Sequence, residues 1–218
     1  MEARVPLFLS TPNLSFLMAA QECEEFRQSV LSSDLSVADG APILWLAEKQ
    51  GTPLPERVAG ADIFDALRYG AGRQLLGRAV KVFFFGGPEG VAQRACEVLN
   101  QEHEATGFMQ GVGAIYPGHG SVDDMSSERW IQQINASGAD FLVVALGARK
   151  GQAWIMANRH RLTVPVVSHL GAVVNFVAKT VRRAPRPVRR LGLEWIWRIK
   201  EEPELFDRYW ADGKGFLR

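Results

Sequence analysis

The sequence predicts an α/β protein: a mostly parallel, Rossmann-like sheet flanked by helices, with a basic and aromatic helical appendage at the C-terminus. Three observations carry this expectation. The runs at 80–85 and 141–146 are apolar throughout rather than alternating, as strands covered on both faces are. Each is followed by glycine and then by apolar residues at helical spacing, which is the strand–turn–helix rhythm of a wound sheet. Beyond residue 181 the pattern changes to arginine mixed with tryptophan, with no further strand signal.

Val5 to Leu9 reads as the first strand, closed by Ser10-Thr11-Pro12-Asn13. Phe16, Ala19, Ala20, Cys23, Phe26 and Val30 then recur as one helix face. Thr11 and Asn13 fall between strand and helix, where a short polar side chain either caps the helix or meets a ligand. Leu35 to Val37 is a brief second strand running into Ala38-Asp39-Gly40, with Pro42 suited to a first helical turn. Ile43, Leu46 and Ala47 are the expected buried face of that helix, and Gly51 its end. Two prolines two apart make 52–55 an extended connector. The next helix carries Ile63, Phe64 and Leu67.

The strand at 80–85 runs into Gly86-Gly87-Pro88 and a helix through Val91, Ala95, Val98 and Leu99. Gly86 and Gly87, and Gly147 after the strand at 141–146, are nucleotide-binding candidates, because glycine lets backbone amides approach a phosphate. A tight turn explains the glycine pair equally well. A short strand is expected at 108–112 and a glycine-rich loop at 111–120. A helix around Trp130, Ile131 and Ile134, another bearing Trp154 and Ile155, a strand at 164–167 and a helix through Val174 and Val177 complete a core spanning 1–181. In the appendage at 182–218, Val188, Leu191, Trp195, Ile196 and Ile199 lie on one helical face, and a further short helix holds Leu205, Phe206, Tyr209 and Trp210.

With 218 residues, 47% of them hydrophobic and 22% charged, the chain is long enough for one substantial folded core. A net charge of +1 gives no global attraction to nucleic acid. The distribution is uneven, however: Lys179, Arg182, Arg183, Arg186, Arg189 and Arg190 occur in a stretch free of acids, a local site for phosphate or an anionic surface. Tryptophan beside arginine suits a membrane interface, while packing of those tryptophans on the core is the alternative. No run reaches the ~20 apolar residues of a spanning helix, so membrane contact is expected to be peripheral. Cys23 and Cys96 form neither a disulfide framework nor a metal-ligand spacing, and no cofactor or metal is expected. The first strand lacks the dinucleotide fingerprint G-x-G-x-x-G, which argues against a nicotinamide enzyme.

Several segments, in order, resemble the bacterial WecG/TagA/CpsF glycosyltransferases. They are TPN at 11–13, ADG at 38–40, G-x-PLPERVAGADIF from Gly51 to Phe64 and FFGGPEGVA from Phe84 to Ala92. They continue with ALG at 145–147, NRHRL at 158–162, RRAP at 182–185 and GLEWIWRIKEEPELFDRYW from Gly192 to Trp210. The resemblance implies inverting, metal-independent transfer of a sugar from a UDP-sugar to an undecaprenyl-diphosphate-linked saccharide at the cytoplasmic face of the membrane. It implies Asp39 as general base and Thr11 and Asn13 as pocket residues. Arg57 and Lys150 are added as substrate-binding candidates, together with Arg182, Arg183, Arg186, Arg189 and Arg190 of the tail for the lipid diphosphate. A homo-oligomer is compatible with this reading. The family pattern G-x-P-K-Q-E is here Gly147-Ala148-Arg149-Lys150-Gly151-Gln152, and an acid of the family is replaced by Asn175. These departures imply altered donor specificity or, alternatively, a weakened member that binds nucleotide or lipid-linked sugar as a scaffold. His119 and His169 are read as loop or core histidines, and Glu194 as a structural bridge to the tail's arginines.

Overall fold

A computed structural model describes residues 5–216. Six strands form one sheet: β1 (Leu7–Ser10), β2 (Leu35–Ser36), β3 (Val80–Gly86), β4 (Met109–Ile115), β5 (Phe141–Ala145) and β6 (Val166–His169). All neighbours are parallel, in the order β2-β1-β6-β5-β3-β4. The α/β fold class and the parallel sheet expected from the sequence are therefore present.

The reason lies in the two central strands. Side chains of a strand alternate between faces, and in β3 and β5 both alternating sets are apolar. Val82, Phe84, Val143 and Ala145 enter one buried cluster, while Phe83, Phe85, Leu142 and Val144 enter the other. The first cluster is covered by α4 (Gly60–Arg68), α6 (Val91–Thr106) and α9 (Gly171–Ala178); α5 (Ala71–Leu76) packs beside them through Gly72. The second is covered by α7 (Glu128–Ala136) and α8 (Ala148–Asn158), whose Trp154 is fully buried, stacks on Phe85 and donates from Nε1 to the Met125 carbonyl at 2.8 Å.

Four expectations change. The first helix is two, α1 (Leu14–Glu22) and α2 (Glu24–Leu31), because Cys23 adopts extended φ/ψ between them. Phe16 and Phe26 still meet edge to face at 5.2 Å, so the apolar stripe survives the break. In α3 (Ala41–Lys49) no residue is buried, since no layer covers it; Trp45 is half exposed and touches only the rim, at Phe216. The strand expected at 108–112 runs on to Ile115, into the expected loop. Its glycines are there for close approach: a Cβ on Gly111 would lie 2.7 Å from Cys96 Cα, and one on Gly113 2.3 Å from the Phe83 ring. Finally, the helix expected across 188–199 divides at Gly192 (φ 71°) into α10 (Arg186–Arg190) and α11 (Glu194–Glu201), followed by α12 (Phe206–Phe216). Among the described residues, no helix is long and apolar enough to cross a membrane.

A methyl at Gly113 must push into the buried Phe83 ring, and overpacking of this kind costs about 1–3 kcal/mol. Gly113→Ala is expected to lower the unfolding free energy by that amount, read as a lower urea midpoint with an unchanged m-value. A wild-type midpoint would show that the Phe83 ring can move aside at no cost.

Candidate active site

The segments that follow all six strands meet at a single cleft of about 970 Å³, with Asp39 and Gly40 arriving from β2. Thr11 and Asn13 follow β1, Gly87 and Pro88 follow β3, Tyr116 and His119 follow β4, Leu146 and Gly147 follow β5, and His169 closes β6. The carboxyl ends of parallel strands are where open α/β sheets gather ligands. The opposite wall comes from the tail, with Glu194, Trp195 and Arg198 of α11 and Arg208 and Tyr209 of α12.

Asp39 sits in this cleft because the chain pins it on both sides. Its N–H donates to the Pro12 carbonyl at 2.9 Å, and Val58 N–H donates to the Ala38 carbonyl at 2.9 Å. Gly40, at φ 129°, then turns the chain directly into α3. Its side chain is 28% accessible and lines the cleft. Enclosure by protein pushes its pKa up to about 7, and the nearby charge of Glu194 adds to this; Arg57 and the Gly60 amide act in the opposite direction.

Thr11 and Asn13 both line the cleft, and the capping role falls to Asn13. Asn13 Oδ1 caps α1, accepting from Phe16 N–H at 3.1 Å. Thr11 makes no such bond and faces Gly60, where an added Cβ would stand 3.1 Å from the threonine hydroxyl. Of the glycine candidates, Gly87 and Gly147 line the cleft. Gly86 lies behind them, its missing Cβ allowing the Ala145 carbonyl to approach. The helices starting at Gly40, Gly60, Gly147 and Gly171 have no side-chain cap, and all four glycines line the cleft, so free backbone N–H groups collect around it.

Lys150 lines the cleft and donates to the Gly120 carbonyl at 2.7 Å, tying down the loop after β4. Arg57 stands 3.8 Å from Asp39 and 3.3 Å from Asp62. The tail arginines do not act together. Arg189 lines the cleft, bonds Asp62 at 2.7 Å and has a buried Nε without a partner. Arg183 lies outside the lining, enclosed by Asp62 (2.6 Å), Asp65 and Glu194 (3.4 Å). Arg182 and Arg186 are exposed and do not border the cleft. The side chain of Arg190 lies outside the described residues.

Sequence reasoning passed over several cleft groups. Arg198 and Arg208 are cations of the appendage that were not singled out, though both lie in its aromatic segment. His119 and His169 belong to the cleft wall rather than to loop or core alone. His169 is held neutral, its pKa pushed down to about 4 by burial. Its ring fills the space that a side chain at Gly151 would need, the Cβ position being 2.3 Å from Cδ2. Among the departures from the family pattern, Asn175 lines the cleft. Gln152 is buried away from it, donating to Ser10 Oγ at 3.0 Å, and Arg149 pairs with Glu22 at the surface. Glu194 does bridge to Arg183, and it also borders the cleft. Among the described residues no group of three or more His, Cys, Asp or Glu is placed to hold a metal ion.

The raised pKa of Asp39 has a consequence for stability. Between about pH 4 and pH 7 the folded protein keeps a proton that the unfolded chain has released, so stability falls as pH rises through that window and the penalty stays complete above it. Asp39→Asn, which mimics the protonated acid, is expected to stabilise the protein by on the order of 1–2 kcal/mol at about pH 8 and to change little at about pH 4. Urea melts at both pH values test this, and equal effects at both would exclude charge burial as the cause.

A carboxyl group poised near neutrality, uncapped helix N-termini and a far wall of mixed charge, with Arg208 beside the Arg198–Glu202 pair, suit proton abstraction beside a phosphorylated ligand. The family model for glycosyl transferases of the WecG/TagA/CpsF family matches residues 1–218. The chain belongs to the WecG/TagA/CpsF glycosyltransferase family.

Proposed function

We propose that this glycosyltransferase moves a sugar from a UDP-sugar to an undecaprenyl-diphosphate-linked saccharide, with inversion and without a metal ion, in the synthesis of a cell-surface polysaccharide. The observation that carries the reading is Asp39, a carboxylate open to the cleft with its pKa at about 7. A general base is most effective when its pKa lies near the working pH. In the step, the acceptor hydroxyl gives its proton to Asp39 while its oxygen bonds to the anomeric carbon. The bond from that carbon to the nucleotide diphosphate breaks on the opposite face, and UDP departs with the electron pair.

The leaving diphosphate needs fixed positive charge. The uncapped starts of α8 and α9, at Gly147 and Gly171, supply oriented N–H groups, and Lys150 and Arg189 supply cations, with Arg198 held against Glu202 at 2.6 Å beside them. Thr11 and Asn175 are the polar groups suited to contact a sugar, so the exchange of an acid for Asn175 bears on donor choice. Only this one of the departures reaches the cleft, which favours changed specificity over lost activity.

The acceptor's lipid requires a membrane surface. Trp195, Ile196, Phe206 and Trp210 stand on α11 and α12 with exposures of 48%, 48%, 50% and 57%, an apolar set beside the cleft mouth and flanked by exposed arginines. Large exposed aromatics of this kind mark interaction surfaces. The reading places the protein on the inner face of the cell membrane.

Asp39→Asn is expected to lower kcat by about 10²–10⁴-fold while the protein stays folded, measured as UDP release that depends on a polyprenyl-diphosphate sugar. The wild-type rate should rise with pH through about 7, since the base must be ionised. Full activity in Asp39→Asn would overturn the assignment, and UDP binding without turnover on any donor would favour a scaffold. Replacing Trp195, Phe206 and Trp210 by serine should release the protein from anionic vesicles in a sedimentation assay. Unchanged sedimentation would remove the membrane role of these helices.

A further inference from the structure

Asp62 occupies the first turn of α4, where an acid is ordinarily explained by the helix dipole. Its contacts go well beyond that. Oδ1 accepts from Arg183 Nη2 at 2.6 Å and from Arg189 Nη1 at 2.7 Å, while Oδ2 accepts from Arg57 Nη2 at 3.3 Å. One oxygen therefore belongs to the C-terminal segment and the other to the residue facing Asp39. Arg57 in turn hydrogen-bonds Asp62 and only approaches Asp39, at 3.8 Å, beyond hydrogen-bond range. An arginine fully paired with a carboxylate makes it a weak base, commonly by 1–3 pH units.

We propose that Asp62 is a positioning residue: it holds Arg57 back from full pairing with Asp39, and the seating of the C-terminal helices, through Arg183 and Arg189, sets how firmly it does so. This rests on the reading of Asp39 as the base. The geometry makes the coupling directional. When Arg189, whose Nε is already without a partner, turns to a phosphate in the cleft, Asp62 loses a competing cation and binds Arg57 more firmly. Asp39 is then left freer to take a proton. The acceptor's own diphosphate would in this way prepare the base that acts on it. The charged groups facing Asp39 are Arg57 from the connector, Asp62 from α4 and Glu194 from α11; those facing Asp62 are Arg57, Arg183 and Arg189. Asp65 and Glu194 share Arg183 with Asp62.

The test is a carboxyl ¹³C titration of the full chain without substrate, with the Asp39 signal identified by its loss in Asp39→Asn. In the wild type Asp39 is expected to titrate near 7. Asp62→Asn should move the midpoint down by about one pH unit, because Arg57 then pairs with Asp39. In the Arg57→Gln background the same substitution should move it by less than half as much, a double-mutant cycle that isolates the route through Arg57. Equal shifts in both backgrounds would mean that Asp62 acts by its own charge alone, and no shift in either would remove its influence; either result overturns the proposal. If Asp62→Asn fails to fold, Arg189→Gln provides the test with opposite sign. The midpoint should rise, and the rise should shrink when Arg57 is absent; equal rises in both backgrounds, or none, overturn the proposal. Failure of the base assignment is separately visible, as an Asp39→Asn enzyme that keeps its turnover.

Discussion

The enclosure of Arg183 by Asp62, Asp65 and Glu194 is the interaction on which the site depends. A guanidinium at 12% side-chain exposure needs carboxylate partners, and here they come from two parts of the chain: α4 of the core and α11 of the C-terminal segment. Its Nη1 also donates to the Ala61 carbonyl at 3.1 Å, binding it to the first turn of α4. Other ties supplement this clamp: Asp212 of α12 accepts from Ser15 Oγ, Phe216 meets the Trp45 ring at 5.7 Å, and Arg198 of α11 lies over the Phe176 ring at 5.8 Å. The far wall of the cleft is thus held by ion pairs together with aromatic and side-chain contacts, whereas the near wall is held by the packed sheet.

Asp39 and its surroundings are built differently. Asp39 is fixed by backbone hydrogen bonds to Pro12 and by the Val58–Ala38 bond, which side-chain changes barely touch. Its chemistry is set by groups that can be exchanged: Arg57, Asp62 and Glu194. Rigid placement with adjustable electrostatics suits a fold that serves several substrates, because loops and appended helices can vary over a constant sheet.

The sequence made some of this legible and hid the rest, for physical reasons. Strands β3 and β5 were readable because burial on both faces leaves an unbroken apolar run. Strand β4 was cut short because its glycines look like a loop until the neighbouring Phe83 ring and Cys96 backbone are seen. Periodicity gave the apolar side of α3 but says nothing of whether a layer covers it, and none does. The helix α5 was not anticipated, its AGRQLL offering too few apolar positions for a period. The breaks at Cys23 and Gly192 were passed over because the apolar spacing continues across them. At the site, Asp39 stood out by its place after a strand, and the resemblance gave it a role. Asp62 did not, because an acid in a first helical turn is unremarkable until three arginines converge on it. Likewise, the basic stretch at 179–190 announced a phosphate site as a block, yet its members separate in space.

The ion pairs around Asp62 also impose a condition of electroneutrality. Arg57, Arg183 and Arg189 are matched by Asp62, Asp65 and Glu194, three cations against three anions. Asp39 is the surplus carboxyl. The cluster is neutral only when Asp39 carries a proton, and ionising it leaves one unmatched negative charge in a confined space. Any proton that Asp39 takes up therefore restores the balance of the whole cluster, and its hold on that proton belongs to seven side chains rather than to one.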